Sequence, residues 1–196
     1  MTTLKLKDKP AKQRILEKAE ELFYKQGYQA TGINQIIAES GVAKASFYAH
    51  FPSKDDLCLA YLREASQREL EILAREMDQQ KTPRERFLCT AELFEPWLVE
   101  TEFKGCTFLN MVPEVVNPKD PIRRQAASFY TAYEKLILEA AKGLIASDKK
   151  KYGHLKAVAL AKDYVTLVAG GIELAALYHS KAPMQHAIRM IHGLLD

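Results

Sequence analysis

Seven side chains between residues 31 and 54 hold the most legible chemistry of the chain: Thr31, Lys44, Ala45, Ser46, Tyr48, His50 and Lys54. They are hydrogen-bond donors and small groups, which suit non-covalent contact with a polyanion. On a short helix Lys44 would donate to guanine, Ser46 to several bases, and Ala45 would touch a thymine methyl. Tyr48 and His50 suit phosphate oxygens. Lys54 adds charge at the start of the next helix, where backbone N–H groups already favour an anion. Thr31 reads as the N-cap of the helix before, bringing a second helix N-terminus toward phosphate.

Two short helices must position these groups. Ile33, Ile36 and Ile37 mark one, ended at Ser40 and Gly41, and the other spans about residues 43–51, stopped by Pro52. Gly41 supplies the positive φ that a tight turn between them needs. Ile33, Ile36, Ile37, Val42, Phe47 and Phe51 would form a small core, completed by a first helix with Ile15, Ala19, Leu22 and Phe23 on one face and Gly27 at its C′ position. Lys44, Ala45, Ser46, Tyr48 and His50 are then left on the outside, a size and polarity that the major groove admits.

At these residues the chain resembles the TetR (tetracycline repressor) family. Ile36, Gly41 with Val42, the Phe47–Tyr48 pair, His50 with Phe51, and Ser53 with Lys54 stand at the family's spacing. The resemblance is specific over about residues 11–60 and weaker but consistent beyond. It implies a helix-turn-helix DNA-binding domain, a ligand-binding bundle behind it, and a homodimer. Lys44, Ala45 and Ser46 take the family's base-reading positions, and Tyr48, His50 and Lys54 its phosphate-contacting positions. One residue departs from the pattern. The family has Ser or Thr opening the reading helix, and here Ala43 stands in that place. Losing such a cap costs about 1 kcal/mol, so this helix is expected to order fully only on DNA.

The rest of the chain also reads as helix, without strand alternation or internal repeats. A long helix is predicted over 55–77. Thr82, Pro83 and Glu85 make a strong start for the next, with Pro96 predicting a kink or an end near Glu95. A brief helix over 105–112, one from Asp120 and Pro121 to about 146, a charged loop over 147–153, and helices over 154–179 and 183–194 complete an all-α protein of about nine helices. The division is a DNA-binding domain over 1–54 and a ligand-binding and dimerisation bundle over 55–196, with the fourth helix belonging to both.

Charge follows that division. Residues 1–54 hold nine basic and five acidic side chains, +4, against 19 and 20 in the remainder, −1, so all the positive excess of a net +3 lies in the first quarter. A polyanion partner or a solvated lysine tail would each account for it. Residues 1–14 lack the apolar run that export needs, and residues 164–178 are too short and too polar to span a bilayer. Three widely spaced cysteines argue against a disulfide framework and for a reduced, cytoplasmic setting.

In the bundle, Phe87, Phe94, Trp97, Phe103, Phe108, Phe129, Tyr130 and Tyr133 form an aromatic set that is either ordinary core or the wall of a pocket. Trp97, Phe108, Asn110, Met111 and Tyr133 are the candidate ligand-binding residues for a small-molecule effector. Gly105-Cys106-x-x-x-Asn110-x-x-x-Glu114 resembles a motif of a subset of TetR regulators; its spacing puts the three side chains on one helix face, although Pro113 should push Glu114 beyond the helix end. Cys106, beside Lys104, is either a small buried residue or a thiol that senses oxidants or electrophiles. Val165, Val168, Ala169, Ile172, Ala175 and Ala176, with Met184, Ile188, Ile191 and Leu195, are the expected dimer faces, and Gly170 with Gly171 suggests close helix approach. The five histidines have no metal-ligand spacing, and phosphate-loop, GxSxG and HExxH patterns are absent. No metal, cofactor or catalytic residue is expected. The function so implied is a repressor released from operator DNA by an effector; a redox-sensing repressor, a helical carrier or enzyme, and a protein-interaction module are the rivals.

Overall fold

A computed structural model describes residues 9–196; Lys5 and Lys7 of the basic leading stretch lie outside the described residues. The described chain is all helical: α1 (Ala11–Gln26), α2 (Ile33–Ser40), α3 (Lys44–His50), α4 (Lys54–Asp78), α5 (Pro83–Glu100), α6 (Thr107–Glu114), α7 (Pro121–Ser147), α8 (Lys149–Tyr152), α9 (Ala157–Tyr178) and α10 (Ala182–Gly193). It has one helix more than expected, because the predicted charged loop holds α8. Asp148 starts that turn by accepting from the Lys151 N–H at 3.0 Å, and Tyr152 is buried beneath it.

Helix starts follow local chemistry. Thr82 and Glu85 form a complete capping box: the Thr82 hydroxyl accepts from the Glu85 N–H at 3.2 Å, and the Glu85 carboxylate accepts from the Thr82 N–H at 3.0 Å. Asp120 opens α7 by accepting from the Ile122 N–H at 2.8 Å. Stops are less local. α5 does not end near Glu95 but continues to Glu100, because Pro96 keeps its ring in solvent while Leu98 beyond it is fully buried. Glu114 likewise lies inside α6 despite Pro113, since Val115 continues the ladder with an N–H bonded to the Met111 carbonyl at 3.0 Å.

The described residues group into two compact units that do not follow chain order. The first runs up to Ser66 and includes Thr107–Ala126; the second is Gln67–Cys106 with Ala127–Asp196. In the first, α1 packs on α2 and α3 through Ile15, Ala19, Leu22, Phe23, Ile36, Phe47 and Phe51, all buried. Ile33 and Ile37 are only half-buried.

In the second unit, α5, α9 and α10 pack together. Their polar centre lies on Tyr164. Its hydroxyl accepts from the Ala91 N–H at 2.8 Å, donates to the Leu88 carbonyl at 3.2 Å and lies 2.7 Å from the Thr90 hydroxyl. Thr90 meets the Tyr133 hydroxyl at 3.0 Å, so α5, α7 and α9 share one buried network. Burial pushes both phenols well above their usual range and keeps them protonated.

Most of the face expected to meet a second subunit packs within the chain, while Ala169, Ala176 and Ile188 stay half-buried. Val165, Val168, Ile172 and Ala175 are buried, as are Met184, Ile191 and Leu195. The most apolar stripe of each helix fills its own core first, leaving a weaker one outside. Gly171 serves that packing. A Cβ there would lie 3.0 Å from both Ala187 Cβ and Met184 Sδ, while Gly170 faces open space. No helix of the described residues is long and apolar enough to cross a membrane.

Tyr164→Phe should cost about 1–3 kcal/mol in urea unfolding, because three buried polar groups lose a partner at once. A change below about 0.5 kcal/mol would show that the network adds nothing net.

Candidate nucleic-acid interface

Gly41 joins α2 to α3 in the left-handed region, at φ 63° and ψ 35°. Arg14 of α1 clamps this turn, with Nη1 donating to the Ser40 carbonyl at 3.3 Å and the Gly41 carbonyl at 3.1 Å. No local pattern marked Arg14 for this role, since its partners lie 26 and 27 residues away. α3 starts at Ala43 without a side-chain cap, yet the helix is complete from Lys44 to His50. Tertiary burial replaces the missing cap: Phe47 is fully buried, with the Phe51 ring 6.3 Å and the Tyr48 ring 5.3 Å from its own.

With Phe47 inward, Lys44, Ala45, Tyr48 and His50 are exposed and Ser46 half-buried. Tyr48 shows 41% of its surface. These five predicted residues therefore share the outer side of one short helix. They present an ammonium, two hydroxyls, an imidazole and a methyl, a set able to contact phosphates and base edges.

Thr31 and Lys54 are placed differently. The N-cap of α2 is Gly32, not Thr31. Thr31 is buried, and its hydroxyl donates back to the Gly27 carbonyl at 2.6 Å. Lys54 is half-buried; Nζ donates to the Tyr28 carbonyl at 3.0 Å and the Thr31 carbonyl at 3.2 Å, and lies 4.3 Å from the centre of the Tyr28 ring. The Tyr28 hydroxyl donates to Asp55. Burial, then that carboxylate, raises the Tyr28 phenol far above its ordinary range. Lys54 therefore ties down the loop leading into α2 whatever else it contacts.

The candidate effector residues divide between the units. Trp97 and Tyr133 belong to the second, where the Phe94 ring lies 5.8 Å from Trp97 and 6.3 Å from Tyr133. Phe108, Asn110 and Met111 lie on α6 in the first unit, Phe108 and Met111 buried and Asn110 half-buried. The second unit also holds a group that sequence patterns did not mark. Glu173 of α9 is half-buried, and its Oε1, shielded from solvent, has no hydrogen-bond partner among the described residues. Burial raises its carboxyl above the ordinary range, against a lowering contribution from the Cys106 backbone N–H.

None of the three cysteines forms a disulfide, and all are buried. Burial pushes the Cys58 thiol up to about 12 and the Cys89 thiol to about 11, so neither is a thiolate near neutrality. Cys106 Sγ accepts from the Tyr130 hydroxyl at 3.3 Å, and neighbouring Lys104 pairs with Glu102 at 3.1 Å. These are the surroundings of a small packed residue. Among the described residues no group of histidines, cysteines and carboxylates is arranged to hold a metal.

Lys54→Ala should lower stability by about 1 kcal/mol or more, because two loop carbonyls lose a charged donor, whereas exposed Tyr48→Ala should stay within about 0.5 kcal/mol. Equal effects in chemical denaturation would contradict this division of labour. For Glu173, the folded-state pKa lies above the unfolded one. Its favourable contribution is therefore present below the ordinary carboxylate range and is lost as pH rises. Glu173→Gln should raise the melting temperature at neutral pH and do little near pH 4; an equal shift at both would remove ionisation as the cause.

Comparison with known proteins agrees with this geometry. The family model described as "Bacterial regulatory proteins, tetR family" matches residues 15–61, which span α1 to the start of α4. The HTH-type transcriptional regulator LmrA of Bacillus subtilis is 27% identical over 191 residues, covering 94% of this chain and 96% of its own. The uncharacterized regulator YxaF of the same organism is 26% identical, covering 89% of each. Among solved structures, a TetR-family transcriptional regulator from Streptomyces coelicolor superposes with a TM-score of 0.78 at 26% identity, over 94% of each chain. A regulatory protein TetR from Rhodobacter sphaeroides shares the fold at a TM-score of 0.83 and 20% identity, over 95% of this chain and 99% of that one. These proteins are regulators, not enzymes, and the match runs through the helices that carry Lys44 to Lys54. Residues 15–61 thus match the tetR family of bacterial regulatory proteins, and over nearly its whole length the chain is similar to helix-turn-helix transcription regulators.

Proposed function

We propose that this chain is a homodimeric repressor that binds double-stranded operator DNA through α3 and is released by a small-molecule effector. The observation that carries the reading is the outer side of α3. Lys44, Ala45, Tyr48 and His50 are exposed there on a helix whose inner side is locked by Phe47. Residues 1–54 serve as the DNA-binding domain and 55–196 as the effector-binding and dimerisation bundle. Lys44, Ala45 and Ser46 read base edges, Tyr48 and His50 hold phosphates, and the N-terminal ends of α2 and α4, near Thr31 and Lys54, complete the backbone contacts.

Pairing of two copies is supported by what α9 and α10 leave outside. Leu177 is 72% and Tyr178 65% exposed, with Val158, Leu174 and Met190 also in solvent. Exposed apolar side chains on α9 and α10 are of the kind that a partner subunit covers. Two copies joined there present two α3 helices to successive turns of DNA. The effector acts as a population shift: it binds one conformation of the bundle better than the other, through residues that include Trp97, Phe108, Asn110, Met111 and Tyr133. α4, continuous from Lys54 to Asp78, carries the change.

The test is fluorescence anisotropy with DNA from upstream of the protein's own gene and with scrambled DNA, each at two salt concentrations. The wild type should prefer the upstream DNA and weaken as salt rises, and Tyr48→Ala should lose about tenfold in affinity. Absence of binding to any DNA at low salt would sink the reading.

A further inference from the structure

The Gly105–Cys106–Asn110–Glu114 pattern ends on a residue whose surroundings point away from ligand binding. Glu114 closes α6, yet its partner is Gln29, 85 residues earlier in the loop between α1 and α2. The pairing is reciprocal. The Gln29 backbone N–H donates to Glu114 Oε2 at 2.9 Å, and the Gln29 side-chain amide donates to the Glu114 carbonyl at 2.8 Å. The carboxylate lies directly over Gly27, where a Cβ would meet Oε1. Gly27 also sits at φ 91°, a backbone conformation that favours glycine there.

The clasped loop is the one that launches the reading head. Thr31 bonds back to Gly27, Lys54 holds the Tyr28 and Thr31 carbonyls, and α2 begins at Ile33 behind an N-cap without a side-chain bond. With no cap of its own, α2 takes its starting position from the loop. α6 is a firm base for the clasp: Phe108 and Met111 are buried, and Thr107 accepts from the Tyr61 hydroxyl of α4 at 3.2 Å.

We propose that Glu114 is a positioning residue for DNA binding: by clasping Gln29 over Gly27 it sets where α2 starts, and hence how α3 is presented. The proposal rests on the DNA-binding reading above, and its sign separates it from simple electrostatics. Glu114→Ala removes a negative charge from a DNA-binding unit, which alone would tighten binding. Loss of the clasp acts the other way.

The experiment uses the full chain and a duplex selected from a random library by the wild-type protein. Affinities are measured for Glu114→Ala, Glu114→Gln, Gln29→Ala and the Glu114→Ala/Gln29→Ala double variant, with hydrogen exchange at the Gln29 amide and a melting curve for each. Glu114→Ala should weaken binding about tenfold and speed exchange at Gln29. Glu114→Gln lacks the same charge but keeps an acceptor, so it should bind at least as well as the wild type. The double variant should be no worse than the worse single one. Glu114→Ala and Glu114→Gln binding alike, or additive losses in the double variant, would overturn the proposal while leaving the DNA-binding reading intact. A wild type that selects no duplex would take both down together.

Discussion

A seven-residue helix cannot hold itself together in water, and α3 stands because Phe47 is buried completely. Everything proposed for the outer face follows from that anchor. With Phe47 inward, the helical period sends Lys44, Ala45 and Tyr48 outward without any dedicated contact to hold them there. The absent cap at Ala43 shows the same economy. Burial of one ring, rather than hydrogen bonding at the helix start, supplies the order.

The loop before α2 is governed by a different physics. Between Gly27 and Thr31 the backbone is neither helix nor strand, and its carbonyls need partners supplied from a distance. Lys54 provides two bonds, Thr31 one, and Glu114 holds the Gln29 N–H from the other side. An ammonium that resembles a phosphate ligand in sequence thus has an internal task, and a carboxylate that resembles part of a ligand motif holds a turn. Charged groups near the proposed DNA-binding surface need not all face DNA.

What could be read from sequence divides along this line. Helix existence was legible almost everywhere, because apolar periodicity and the Thr82–Glu85 and Asp120–Pro121 starts are local signals. The exposed set Lys44, Ala45, Tyr48 and His50 was legible for the same reason. The continuation of α5 past Pro96 and the intrachain use of Val165, Val168 and Ile172 were not, since both depend on which neighbour buries a residue. Nor could spacing reveal that Arg14, Tyr28, Gln29 and Glu114 converge on two turns of the first unit. Their partners are fixed only by the tertiary fold. Thr31 failed as a cap because its backbone lies one residue too early, a difference below what pattern reading resolves.

The membership of residues 107–126 in the first compact unit has a consequence for the order of events at the ribosome. A reading head made of residues 9–66 alone could consolidate as soon as that stretch emerged. Here its loop waits for Glu114, a residue translated much later. At bacterial-like synthesis speeds of about 5–20 residues per second, the gap from Ser66 to Ala126 lasts several seconds, long compared with helix formation or collapse. During that interval the nascent unit has its three helices but not its clasp. Completion of the Gly27–Thr31 loop's bonds is thus coupled to synthesis of the middle of the chain.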